Sequence, residues 1–197
     1  ADENLLNSTR ATDFMTPKSR AAKLLRDAVL SLAEELPMGR ALVNSGRLSV
    51  PALLTQSPLN TPDGETFEGW MLPGAPLDDA PVRAGGEPGW LLPHAGQGFV
   101  LMLFGAPDPA YQGAIDALAN GPVPVRALVV MPAGEPGPAG LTWLEDAEGL
   151  VAKRFDARPG TAYLIRPDQH VAARWRRFDA AAVRAALARA TGQESQA

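Results

Sequence analysis

Six consecutive apolar residues, Phe99-Val100-Leu101-Met102-Leu103-Phe104, end in Gly105, and a second apolar run extends from Val125 to Met131. Runs this short, without alternation, predict strands buried on both faces. Between them Asp108 and Pro109 supply a cap and a first helical residue, Ile115 and Leu118 an inward face, and Asn120-Gly121-Pro122 a stop. Two such strands around one helix form a parallel βαβ unit with a right-handed crossover.

A glycine- and proline-rich loop follows, after which Asp146 opens a short helix containing Leu150, Val151 and Phe155. Thr161–Ile165 and Val171–Trp175 read as short strands, and the Arg166-Pro167-Asp168-Gln169 segment between them makes a hairpin. Asp179 caps a last helix with Val183 and Leu187 inward and Gly192 beyond its end. Strand, helix, strand, helix, hairpin, helix is the thioredoxin-like arrangement. The expected fold class is therefore α/β, a central mixed sheet flanked by helices over residues 98–192, with a disordered tail at 193–197.

The 197 residues include 19 glycines and 19 prolines, which break element interiors and must sit mostly in connections. Eight prolines and six glycines fall between Pro51 and Pro93, so residues 51–97 read as a long connection. Leu53-Leu54, Trp70-Met71-Leu72 and Trp90-Leu91-Leu92 give it apolar anchors, with Trp70 and Trp90 foremost, so it is expected to be packed against the domain. Residues 1–50 read as helical. Thr16-Pro17 starts a helix whose inward face is Ala21, Leu25, Ala28, Val29, Leu32 and Leu36. Asp2 to Thr12 suits another helix, with Leu5, Leu6 and Thr9 inward, and Pro37 restarts a shorter one through Leu42 and Val43 to Gly46.

Charge is divided unevenly. Residues 51–150 hold two basic and twelve acidic residues, and 151–191 nine basic and three acidic. Pairing between these parts is the expected use of that charge. A net charge of −4 argues against nucleic acid as a partner, and Arg174, Arg176 and Arg177 around Trp175 fit a solvated face better than a phosphate-binding one. Alternation puts Val171, Ala173 and Trp175 on one face and Ala172, Arg174 and Arg176 on the other. No run approaches the roughly 20 apolar residues of a membrane span, and the first residues lack the basic and apolar regions of a secretion signal. A soluble, cytoplasmic protein is expected. The missing initiator methionine suggests processing or excision from a longer chain.

There is no cysteine, which removes thiol chemistry and thiolate metal sites. In catalytic thioredoxin-like proteins the reactive thiol follows the first strand, where Gly105-Ala106-Pro107-Asp108 stands in this chain. Arg158, in a segment resembling a peroxiredoxin strand, has no thiol to assist and reads as surface charge. His94 and His170 have no helical i+4 partner and no neighbouring carboxylate cluster. Glu145, Asp146 and Glu148 fall where a helix start wants carboxylates, with divalent-ion binding a minor alternative. Neither Gly85-Gly86 nor Gly134 to Gly140 belongs to a GKS, GKT or GxGxxG phosphate motif. No residue is assigned as catalytic, cofactor-binding or metal-binding.

Residues 1–17, ADENLLNSTRATDFMTP, with Arg26-Asp27-Ala28-Val29-Leu30, Val43-Asn44-Ser45-Gly46-Arg47-Leu48-Ser49 and YLIRPDQHVAARW over 163–175, resemble the C-terminal third of FAD-dependent aromatic hydroxylases. The likeness runs in order along nearly the whole chain. It implies a parent flavoprotein monooxygenase that uses FAD, NAD(P)H and oxygen on phenolic or polyketide substrates, and that ends in a thioredoxin-like domain without redox cysteines. The family's GxGxxG, its second nucleotide motif and its Gly-Asp flavin motif have no counterpart in this sequence. Two functions then compete. One is a noncatalytic auxiliary domain that stabilises or dimerises a hydroxylase, with the rest of that flavoprotein as partner; the other is a stand-alone thioredoxin-like binding module using the cleft beyond Gly105.

Overall fold

The computed structural model describes residue 9, residues 12–36 and residues 52–193. The chain divides into two units, 1–52 and 53–197. In the first, residues 12–15 are helical and α1 spans Arg20–Glu35. The cap is Ser19, whose hydroxyl accepts from the Ala22 amide at 3.1 Å, in place of the expected Thr16. Thr16 instead closes the preceding turn, with its Oγ1 donating to the Thr12 carbonyl at 2.7 Å. The face read as inward also needs correction, since Leu25, Leu32 and Leu36 are 65%, 42% and 48% exposed. The expected helices over 2–12 and from Pro37 to Gly46 lie outside the described residues, apart from Thr9 and Thr12, as do residues 194–197 of the tail.

The second unit is built on one seven-stranded mixed sheet. Its strands are β1 Pro81–Ala84, β2 Glu87–Trp90, β3 Phe99–Phe104, β4 Val125–Pro132, β5 Thr142–Asp146, β6 Ala162–Ile165 and β7 Val171–Trp175, in the order β2-β1-β5-β4-β3-β6-β7. The helices are α2 Gln112–Ala119, α3 Leu150–Arg154 and α4 Ala180–Ala190. β3 and β4 run parallel from Phe99↔Val125 to Phe104↔Val130, and β3 lies antiparallel to β6, with Val100 opposite Ile165. All six residues of β3 are buried, as an apolar run without alternation requires of a central strand.

The two faces of the sheet are covered differently. Leu101, Leu103, Val129 and Leu164 face Ile115 and Leu118 of α2 and Val183 and Ala186 of α4. Val100, Met102, Phe104, Leu128, Val130 and Tyr163 face Val151 and Phe155 together with Met71, Leu77 and Leu91 from the proline-rich segment. That segment therefore covers this face together with the short helix α3. Its anchors are Met71 and Leu91, both fully buried, and not Trp70 and Trp90, which are 46% and 57% exposed.

Three strands were absent from the sequence reading. β1 and β2 form a hairpin around Gly85-Gly86, and β5 runs parallel to β4 with Leu128 opposite Thr142. The outer edge of β7 is covered: the Gly74 amide donates to the Val171 carbonyl at 2.7 Å, Val171 returns a bond to Ala75 at 2.9 Å, and Thr61 bonds Ala172 at 2.9 Å. An edge strand so covered presents no template for another chain.

Candidate functional site

The parallel strands β3 and β4 end side by side, and the chain leaves β3 through Gly105. The Gly105 amide donates to the Val130 carbonyl at 2.9 Å, while Phe104 exchanges bonds with the loop before β6, donating to Thr161 and accepting from Gly160. Gly105 is buried with φ of 76°, and a Cβ there would meet the Cβ of Pro159 at 3.3 Å. Only glycine fits this pinch without strain. From it Ala106-Pro107-Asp108 lead into α2, and the Asp108 carboxylate accepts from the Ala110 amide at 2.9 Å.

Two cavities flank Gly105. One, of about 180 Å³, is lined by Phe104, Val130, Met131, Pro132, Ala152 and Pro159, with Asp146 and Arg158 beside them. The other, of about 260 Å³, takes in Asp108, Tyr111, Thr161, Arg177 and Phe178. Both fall below the roughly 300 to 1,000 Å³ of sites that hold drug-sized ligands. Three of their polar side chains, Asp108, Asp146 and Thr161, already accept bonds from backbone amides. Asp146, 3% exposed, accepts from the Val151 and Ala152 amides at 3.1 and 2.8 Å, and the Thr161 hydroxyl accepts from the Arg158 amide at 3.2 Å. Asp146 thus ends β5 and caps α3 across a turn, where the reading had it open the helix directly; Gly149 is the residue at the cap position. Glu145 points elsewhere, accepting from the Gly134 amide at 2.9 Å.

FAD does not suit this corner. A pyrophosphate needs free amides at a helix N-terminus. Here Pro109 has no N–H, the Ala110 amide is taken, and the Asp108 carboxylate supplies repelling charge. The histidines lie at the other end of the sheet. His94 is in the turn Leu92–His94, its carbonyl bonded by Arg126, and His170 starts the β7 side of the hairpin with its Nδ1 3.0 Å from the Asp168 carbonyl oxygen. Among the described residues, no group of three or more histidines and carboxylates is placed to hold a metal ion.

The most elaborate polar cluster lies on the β7 side. Arg174, read as solvated, is 6% exposed. Its Nε and Nη2 donate to the two carboxylate oxygens of Asp63 at 2.9 and 2.6 Å, its Nη1 to the Met71 carbonyl at 3.0 Å, and its guanidinium lies 4.4 Å from the Phe67 ring centre. Burial opposes the charge on Arg174, yet the hydrogen bond to Asp63 raises its pKa overall. Arg176 stacks on the same ring at 3.7 Å, donates to the Thr66 carbonyl at 2.8 Å and pairs with Asp156. Beneath them Tyr163, fully buried, donates to the Phe155 carbonyl at 2.5 Å, and burial pushes its phenol up to about 12. The expected pairing of the basic C-terminal part with the acidic middle is seen in Arg174 with Asp63 and, elsewhere, in Arg154 with Asp78 at 4.0 Å, while Glu65 accepts from the neutral backbone amide of Arg176 at 2.7 Å.

Arg174 and Arg176 lie on the face opposite Ala173 and Trp175, as alternation requires, and Arg174 is buried because Asp63, Phe67 and Met71 of the proline-rich segment cover that face. Alternation breaks only at a register shift between Leu164 and Ile165, opposite Val171–Ala173. It puts Ala172 and Ala173 on the helix-covered face while Val171 lies on the other. Simple alternation across β7 fails there. Asp63, Glu65 and Phe67 were missed because nothing periodic marks them in an irregular stretch.

The profile of the HcaD C-terminal domain matches residues 89–190. Among solved structures, the flavin-dependent monooxygenase PieE, in complex with FAD and substrate, is 25% identical with a TM-score of 0.58, over 93% of this chain and 32% of that one. Aklavinone-11 hydroxylase, in a ternary complex with FAD and aklavinone, is 24% identical with a TM-score of 0.51 over 86% and 33%. RebC soaked with chromopyrrolic acid and holding 7-carboxy-K252c is 19% identical with a TM-score of 0.53 over 98% and 33%. The latter two show likeness of fold. The chain spans about a third of the length of each, and no curated protein sequence matches it. The similarity to flavin-dependent monooxygenases suggested by the opening and closing segments is therefore real, and by the match over residues 89–190 the chain belongs to the HcaD C-terminal domain family.

Proposed function

We propose that the chain is the C-terminal part of an FAD-dependent, NAD(P)H- and oxygen-using aromatic hydroxylase, and that its sheet domain is a noncatalytic auxiliary module that stabilises or dimerises the enzyme. In this reading residues 1–50 end the parent's FAD and substrate region, 51–97 are a packed connection and 98–192 a thioredoxin-like domain. The parent is cytoplasmic and binds no nucleic acid; among the described residues no helix is long and apolar enough to cross a membrane.

The observation that carries the proposal is the corner at Gly105. β4-β3-β6-β7 with α2 and α4 supports a thioredoxin-like core, and the place its chemistry would occupy holds Ala106 and Pro107 beside carboxylate and hydroxyl groups already bonded to backbone amides. Function resides in sites and not in folds. The stand-alone binding module has less support, since both cavities there are small.

The test is the parent enzyme truncated before Leu53. It is expected to keep FAD, flavin reduction by NAD(P)H and product formation while losing thermal stability or its dimer. Total loss of hydroxylation with flavin content and oligomeric state intact would place the domain in catalysis.

A further inference from the structure

We propose that the apolar cavity beside Gly105 is a binding site for a neutral single-ring arene carrying one hydrogen-bond donor, with the ring among Phe104, Val130, Pro132 and Ala152 and the donor on the Asp146 carboxylate. The site lies wholly within residues 104–159 and needs nothing of the parent enzyme proposed above.

Strand register builds it. Phe104 stands opposite Val130 where β3 and β4 end, Val130 opposite Leu144, and Pro132 opposite Asp146. With a side-chain period of two, Val130 and Pro132 share one face of the sheet with Leu144 and Asp146. On this face Phe104, Val130 and Leu144 meet Val151 and Phe155. α3 and the loop after it close the space over the strand ends, through Ala152, Ala157 and Pro159.

A buried carboxylate with acceptor capacity to spare points to a ligand. Asp146 is 3% exposed. Its two oxygens take one amide each, Val151 on Oδ1 at 3.1 Å and Ala152 on Oδ2 at 2.8 Å. An ionised carboxylate offers about four acceptor positions, so half of them are left over. Among the described residues no cationic side chain pairs with Asp146. A buried charge without a counter-ion is costly, and each further donor stabilises it. Arg158, the other charged residue in the wall, is exposed and marks the open end.

Size and lining select the ring. The space is about 180 Å³, against roughly 150 Å³ for an apolar cavity that holds benzene. Phe104 belongs to an aromatic cluster, its ring centre 6.0 Å from that of Phe155 and 6.1 Å from that of Tyr163, so a ring beside it extends packing already present. A cationic ring would meet Arg158 at the entrance, and an anion entering head first would meet Asp146 within. A neutral donor suits both ends.

The 197-residue chain, labelled with nitrogen-15, is titrated with phenol, anisole and benzoate. Phenol should give saturable shifts at the amides of Val130, Ala152 and Arg158, and should bind at least about tenfold more tightly than anisole, which keeps the ring and the oxygen without the donor. Asp146→Asn should shrink that preference. Because this variant can also loosen α3, Ala152→Leu serves as the second: it fills the cavity and should weaken phenol by at least about tenfold. Four results would overturn the proposal. Phenol could give no saturable shift up to its solubility limit. Anisole could bind as tightly as phenol, which would mean a plain apolar cavity where the hydroxyl finds no partner. Benzoate could bind tightest, which would give the polar role to Arg158. Shifts unchanged by Ala152→Leu would place the binding elsewhere.

Discussion

Asp156 accepts from the Glu68 amide at 2.7 Å and from the Arg176 guanidinium, from a backbone position with φ of 46° just beyond α3. The Glu68 amide first, and Arg176 second, hold its carboxyl below the usual carboxylate range. A carboxyl whose folded pKa is depressed adds stability above its unfolded pKa, near 4, and loses it as pH falls through the folded value. Asp156→Asn should therefore lower the urea midpoint at neutral pH, and the gap to the native protein should close as pH falls below the usual carboxylate range. A gap that persists in acid would show that the carboxylate charge is not what fastens this corner. The partners of the cluster were illegible in sequence for a plain reason: Asp63 and Arg174 are 111 positions apart, and no local pattern links them.

Among elements, the proline-rich segment departs furthest from its reading. Of Trp70-Met71 and of Trp90-Leu91 only one residue enters the core; neither pair is regular extended chain, since Trp70 lies in a bend and Leu91 has helical φ and ψ at the start of the turn Leu92–His94. In both pairs the smaller residue does, at 0% exposure. Met71→Ala and Leu91→Ala should each cost about 2 to 5 kcal/mol in denaturant unfolding, whereas Trp70→Ala and Trp90→Ala should stay within about 0.5 kcal/mol of native. The opposite order would restore the tryptophans as anchors. The hairpin β1–β2 did leave a trace, two glycines between short apolar-containing runs, which is a recognised turn signal. β5 left less: Thr142-Trp143-Leu144-Glu145-Asp146 mixes charge with apolar residues because only Leu144 and Asp146 are buried.

At the level of the whole molecule, both halves of the core draw their buried residues from Met71 to Ala186. Residues 53–197 alone are accordingly expected to unfold in one cooperative transition at the midpoint shown by the sheet domain in the full chain, as followed by near-ultraviolet circular dichroism. A fragment starting at residue 81 should lose that transition, because it lacks Met71, Ala75 and Leu77 and uncovers the edge of β7. Failure of the 53–197 fragment to fold would mean that the division into two units does not describe folding.

The centre of the sheet was determined by sequence alone. Unbroken apolar runs at β3 and β4, capping at Asp108 and Asp179, and a five-residue link between β6 and β7 each encode burial or a turn within a few residues of themselves, so their order gives the topology. The absence of a thiol after β3 was equally legible, being a matter of composition. Only the tertiary structure decided which member of Trp70-Met71 turns inward, that Arg174 is buried against Asp63 and Phe67, and that the apolar face of α1 lies open. Each of these depends on what stands opposite a residue in space. Side-chain period fixes which residues share a face, and it carries no information about the surface that face will meet.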